Sequence, residues 1–379
     1  DSYMISTLLL SLLAVFGPAQ DAEPENFAQP PPSHWPATTD EMAKRLGLRA
    51  MQLVKEDGLE IWFEDSKMRR SLEKNLLKSW ASINERIGEP DTPNDVPIRL
   101  LLIDTPEAVA RLRPLVAEEA SRWDLAGPDR AFFEATAKAG NGVWSFPPVA
   151  IVASRPIGKT EVRTRAVHDL GILRMNLACS YTGFGVPEAL KEGFAGWLVL
   201  EMVKKPFGLV SHEKAALKTK IYGYGVFAGI GAAMNNADNH PSNWENLVKN
   251  AMRQMRASDT SVPEAHLDAV LARTRENFAR TDYAYSWGVL SFLMDAHYPV
   301  GDAALKAQKA TIWNRPKKPL AVSRQTIFLD ALKTLRGHKL SFLTPAERGQ
   351  KLGELLEEAT GETREQRHHA FLHWSIKGL

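Results

Sequence analysis

Residues 161–201 read EVRTRAVHDLGILRMNLACSYTGFGVPEALKEGFAGWLVLE, and the rest of the chain is organised around them. Two helices joined by a Gly-rich loop are expected. The first carries His168-Asp169 and the second carries Lys191-Glu192-Gly193-Phe194-Ala195-Gly196-Trp197. Val167, Leu170, Gly171 and Leu173 give the first helix its apolar face. Two histidines four residues apart on a helix lie one turn apart and can reach one metal ion, and a glutamate after the first can take a proton from bound water. Here the pattern His-Glu-x-x-His is altered to His168-Asp169-Leu170-Gly171-Ile172. Ile172 has no lone pair to offer at the second ligand position. Asp169 keeps a carboxylate at the base position but is one methylene shorter than Glu.

Glu192 follows His168 by 24 residues, on the second helix. Residues 187–197, PEALKEGFAGW, resemble the P-x-x-L-x-E-G-x-A-x-[YW] element of peptidase MA-like gluzincins, with Pro187, Leu190, Glu192, Gly193, Ala195 and Trp197 matching. The resemblance extends over residues 55–379 through the order of strands and helices. It implies an α+β, mostly helical fold with a thermolysin-type catalytic core. A small N-terminal α/β half would be followed by an all-helical C-terminal half. It also implies His168 as first zinc ligand, Glu192 as third, Ile172 in place of the second and Asp169 in place of the base. Tyr283 or Tyr285 would stand where the family has a transition-state donor. Without the resemblance, His168-Asp169 reads as a buried, hydrogen-bonded polar pair. Glu192 then reads as a surface carboxylate or the partner of Arg165 or Arg174.

The remaining histidines do not repair the motif. His212-Glu213-Lys214-Ala215-Ala216 starts like a second His-Glu-x-x-His but ends in Ala216, and His240 sits in a polar loop. His368, His369 and His373 fall on a charged helix with Arg364 and Arg367 and read as a solvated face. His297 reads as a C-terminal helix cap.

At 379 residues and 44% hydrophobic, the chain can bury a sizeable core, and its 10 Trp suggest a well-packed body. A net charge of +2 points to no nucleic-acid or acidic-membrane partner. With one cysteine, Cys179, no intrachain disulfide can form; its apolar neighbours make it a packed thiol. No Gly-rich phosphate loop or dinucleotide fingerprint occurs, Ser145 and Ser180 lie in no nucleophile elbow, and the basic run 315–318 reads as solvated charge.

Residues 4–16, MISTLLLSLLAVF, followed by Gly17-Pro18-Ala19, read as a secretory signal ending at 19, though no Lys or Arg precedes the apolar run. A Pro- and Ala-rich linker is expected over 20–39, the α/β half over 40–205 and the helical half over 206–379. A helix is expected from Asp40 to about Lys55, then strands at 59–63 and 97–104 around a long helix capped by Asp65. Strand pairs near 142–152 and a run of helices to the C-terminus complete the pattern.

Three readings follow. The first is an exported gluzincin-like protein without cofactor, its degraded site retaining a cleft for peptide or cell-wall material. The second is an active zinc peptidase with a ligand remote in sequence. The third is a structural or interaction protein of the cell envelope. In none of them does the mature chain need a membrane or nucleic acid.

Overall fold

The computed structural model describes residues 35–92, 96–121, 143–144, 148–153, 159–180, 185–203, 267–274, 280–301, 318–337 and 343–377. In chain order these form α1 (Thr39–Leu46), β1 (Gln52–Glu56), β2 (Leu59–Phe63), α2 (Ser66–Ile87) and β3 (Ile98–Ile103). Then come α3 (Pro106–Ser121), β4 (Val143–Trp144), β5 (Val149–Ala153), α4 (Lys159–Cys179) and α5 (Glu188–Val203). The last five are α6 (Leu267–Leu271), α7 (Arg280–Leu293), α8 (Arg324–Gly337), α9 (Pro345–Thr360) and α10 (Arg364–Lys377). The class is α+β and mostly helical, with one small mixed sheet.

The strands pair in the order β1-β2-β3-β5-β4, with β2, β3 and β5 parallel and the outer two antiparallel. Parallel strands need helical cover on both faces, so their sequences run almost without polar residues. Here Ile98, Leu100 and Leu102 join a core with α2 and α4, while Leu101 and Ile103 join the core under α1 and α3. One charged pair interrupts this rule. Glu60 and Arg99 face each other across β2 and β3, with Nε to Oε2 at 3.2 Å, and Lys55 on β1 reaches the other oxygen at 2.9 Å.

Several expectations require correction. The helix expected over 40–55 stops at Leu46 because Gly47 turns left-handed at φ 70° and its N–H returns to Ala43 and Lys44. Residues 52–63 instead form a hairpin whose turn, Asp57-Gly58, has both φ positive. The expected linker is docked at its end: Thr38 caps α1, and Trp35 is buried with the Arg99 guanidinium 4.6 Å above its ring. His297 does not cap a helix, since α7 ends at Leu293 and the His297 N–H donates to Asp295 Oδ1 in a turn. The face of α10 is not solvated throughout. His368 and Arg367 are buried, His369 is exposed and His373 is half-buried beside the Tyr298 hydroxyl.

The helix cap at Asp65 and the strand expected at 97–104 agree with the structure. The signal segment, Ser145 and all of residues 204–266, with His212, His240 and the helices expected there, lie outside the described residues. No described helix is long and apolar enough to cross a membrane.

One continuous core joins the sheet face, α2, α4 and α5 to α7, α8, α9 and α10, so the two halves share a hydrophobic interior. Buried arginines tie the helical side together. Arg324 holds Glu362 through two bonds of 2.6 and 2.8 Å, and Arg367 holds Asp268 through two more. Arg348 of α9 donates to the carbonyls of Cys179 and Gly185, closing the C-terminus of α4 and fixing the approach to α5. Cys179 is buried, and burial pushes its thiol up to about 12, as a packing residue requires.

Helix α5 lies between α4 and α7 at backbone-contact distance. A methyl on Gly171 would sit 3.0 Å from the Ala195 Cα, and one on Gly193 would sit 2.5 Å from the Ser286 carbonyl oxygen. Gly193→Ala is expected to destabilise the protein by about 1–3 kcal/mol, read as a lowered urea midpoint with an unchanged slope.

Candidate functional site

The site lies where α4 faces α5. Residues 165, 168, 169 and 172 fall on successive turns of α4, so an i, i+4 step brings Arg165 to Asp169 and another brings His168 to Ile172. Glu192 is on the first turn and a half of α5, and the close approach at Gly171 and Ala195 brings its carboxylate across to His168.

His168 and Asp169 are buried, and Glu192 is half-buried. His168 Nδ1 lies 3.1 Å from Asp169 Oδ1, and Nε2 lies 3.1 Å from Glu192 Oε2. A neutral imidazole can donate through one nitrogen only, so donation to both carboxylates requires the imidazolium. Burial by itself would lower the His168 pKa. The Glu192 charge, the hydrogen bonds to Asp169 and Glu192 and the Asp169 charge outweigh it and raise the value above 6.5. Asp169 is fully buried, which alone would raise its pKa. The Arg165 charge and the bond from His168 hold it below the usual range. Arg165 Nε donates to Asp169 Oδ2 at 2.7 Å, and the guanidinium also feels Glu192.

His168 on α4 and Glu192 on α5 are thus brought together. Asp169 goes to a different task from the one its position suggests. One oxygen orients His168 and the other is held by Arg165, so the carboxylate is committed away from any base role at a bound water. Arg165 is bonded to Asp169, and its charge also interacts with that of Glu192. Arg174 is turned elsewhere: it donates to the Gly88 carbonyl and lies 5.4 Å from the Trp80 ring. Burial and the Arg336 charge push its pKa down to about 9. The Arg165–Asp169 pair was open to detection in the sequence from its i, i+4 spacing alone.

Ile172 is half-buried one turn along from His168 and brings only hydrocarbon to the site. On α7, Tyr285 neighbours Ser286, which packs on Gly193. Tyr285 is half-buried, and burial raises its phenol pKa against the opposing charge of Arg273. Arg273 is itself ion-paired with the buried Asp282. The backbone of Tyr283 is in α7, but its side chain lies outside the described residues. Trp197, the last residue of the matched element, stacks near Phe194 and carries the Arg86 guanidinium 5.0 Å from its ring.

A catalytic zinc ion takes three protein donors and leaves one position for water. His168 Nε2 and Glu192 give two, Ile172 gives none, and Asp169 is committed to His168 and Arg165. Among the described residues no group of three or more His, Cys, Asp or Glu side chains is arranged to hold a metal. Among the described residues the donors therefore fall one short of a catalytic zinc centre, and they form an ionic chain running Arg165–Asp169–His168–Glu192.

That chain links stability to pH. The folded-state pKa of His168 is raised, so its stabilising contribution is complete below about pH 6.5 and is lost as pH rises through the folded-state value. The urea midpoint is expected to fall as the pH rises above about 6.5, and His168→Gln is expected to flatten that fall. An equal slope in both proteins would remove His168 as its source.

No protein-family model, curated protein or solved structure matches the chain.

Proposed function

We propose that this chain is an exported, gluzincin-like pseudo-metallopeptidase. Helices α4 and α5 stand for the two motif helices of that core, with the metal chemistry lost and the adjoining cleft kept for peptide or cell-wall material. The observation that carries the reading is the 3.1 Å contact of His168 Nε2 with Glu192 Oε2. Two ligand-type side chains from separate helices converge where the resemblance requires a first and third ligand to meet. Beside them, the second-ligand and base positions are filled by Ile172 and by an Asp169 tied to Arg165.

The order of elements supports the same reading. A small mixed sheet precedes the motif helices, and helices follow them. The ligand class follows from the fold the chain resembles. Export rests on residues 1–19 alone.

The test begins with zinc per chain in protein purified without added metal and without a histidine tag. The natural chain is expected to hold far less than one zinc. The double variant Asp169→Glu with Ile172→His is expected to acquire measurable zinc, because it restores a third donor one turn from His168. Near-stoichiometric zinc in the natural chain would instead establish a metallopeptidase with a remote ligand. A folded double variant that takes up no zinc would count against the gluzincin assignment.

A further inference from the structure

Ile172 gives the site no donor where a second histidine would stand, and the charges around His168 bear on a metal as well. Asp169 and Glu192 bring two negative charges to a poorly hydrated place between α4 and α5. Arg165, with its side chain only 16% exposed, already returns one positive charge through its 2.7 Å bond to Asp169. A divalent ion on His168 and Glu192 would bring two more. The buried set would then carry an excess positive charge, and in a low-dielectric setting that excess is costly.

We infer that Arg165 determines the site's refusal of divalent cations, by neutralising Asp169 and leaving a single carboxylate to balance any bound dication. The inference rests on reading α4 and α5 as a gluzincin-like helix pair. Ile172 then removes a donor atom, while Arg165 removes the charge balance that a donor alone does not restore. A histidine at 172 would supply only the donor. A glutamate there would supply donor and charge together, with the Arg165–Asp169 pair left intact.

The distinction is measurable without any assay of activity. Zinc dissociation constants would be obtained by competition with a chromogenic chelator for I172H, I172E and I172H/R165Q. Cobalt(II) spectra would report coordination, and circular dichroism would report folding. Both I172E and I172H/R165Q are expected to bind zinc about tenfold or more tightly than I172H. Should removal of Arg165 prevent folding, the comparison of I172E with I172H decides alone. Equal affinity in I172H and I172E, or tighter binding by I172H, would overturn the role of Arg165 while leaving the helix-pair reading intact. Three folded variants that bind no zinc would overturn the helix-pair reading and the inference with it.

Discussion

Two helix backbones can come together closely only where side chains leave room, and the centre of this structure depends on that allowance at Gly171 and Gly193. Gly171 lets α4 approach the Ala195 backbone, and Gly193 lets α5 approach the Ser286 carbonyl. With those contacts set, His168 and Glu192 meet across the α4–α5 seam. A larger residue at Gly171 would push α4 and α5 apart by a few tenths of an ångström, enough to weaken a 3.1 Å contact, and one at Gly193 would displace α5 from α7. The Gly and Ala of the E-G-x-A-x-W segment thus have a packing reason that holds whatever the site binds. Glu192, just before them, meets His168 across the α4–α5 seam.

A buried ionic chain is stable only when each member is satisfied, because a charge left alone in the interior loses its water without recompense. Here each link restrains the next. Arg165 holds Asp169, Asp169 orients His168, and His168 reaches Glu192. With the imidazole protonated, two carboxylates face two cations and the group is neutral. A zinc peptidase uses a metal to supply the positive charge between such carboxylates. In this chain a guanidinium and a ring proton hold that place. A carboxylate on the far nitrogen of a metal-bound histidine also raises ligand basicity, so the Asp169–His168 contact does not by its nature oppose a metal.

Much of the fold was legible because burial on two faces leaves a plain mark in sequence. The run IRLLLI at 98–103 has no alternation to suggest a solvent face, and the sheet indeed has helices on both sides. The error at 40–55 arose from apolar residues that kept helical spacing past Gly47. The competing signal was Asp57-Gly58, a turn pair between two short runs of strand character, and it prevails in the structure. His368 and Arg367 misled for another reason. A charged residue reads as exposed until its partner is known, and the partner of Arg367 is Asp268, 99 residues away. The site shows the same division. His168 and Glu192 could be paired from the order of motif elements, and Arg165 with Asp169 from one helical turn. Arg348, which closes α4 from α9, could not be assigned from local sequence at all.

This division also bears on how a degenerate motif should be read. A sequence comparison of His-Asp-x-x-Ile with His-Glu-x-x-His counts two substitutions and treats them as two losses. The structure gives them different physical meanings. Ile172 is a deletion of chemistry, since nothing it carries can bind an ion. Asp169 is a reassignment: being one methylene shorter than Glu, its carboxylate stays close to its own helix, within reach of the His168 ring and of Arg165 one turn back. Once paired there, it stabilises the histidine as a cation, and the histidine in turn draws in Glu192. The His168-Asp169-x-x-Ile172 segment is therefore internally consistent, with Asp169, His168 and Glu192 holding one another.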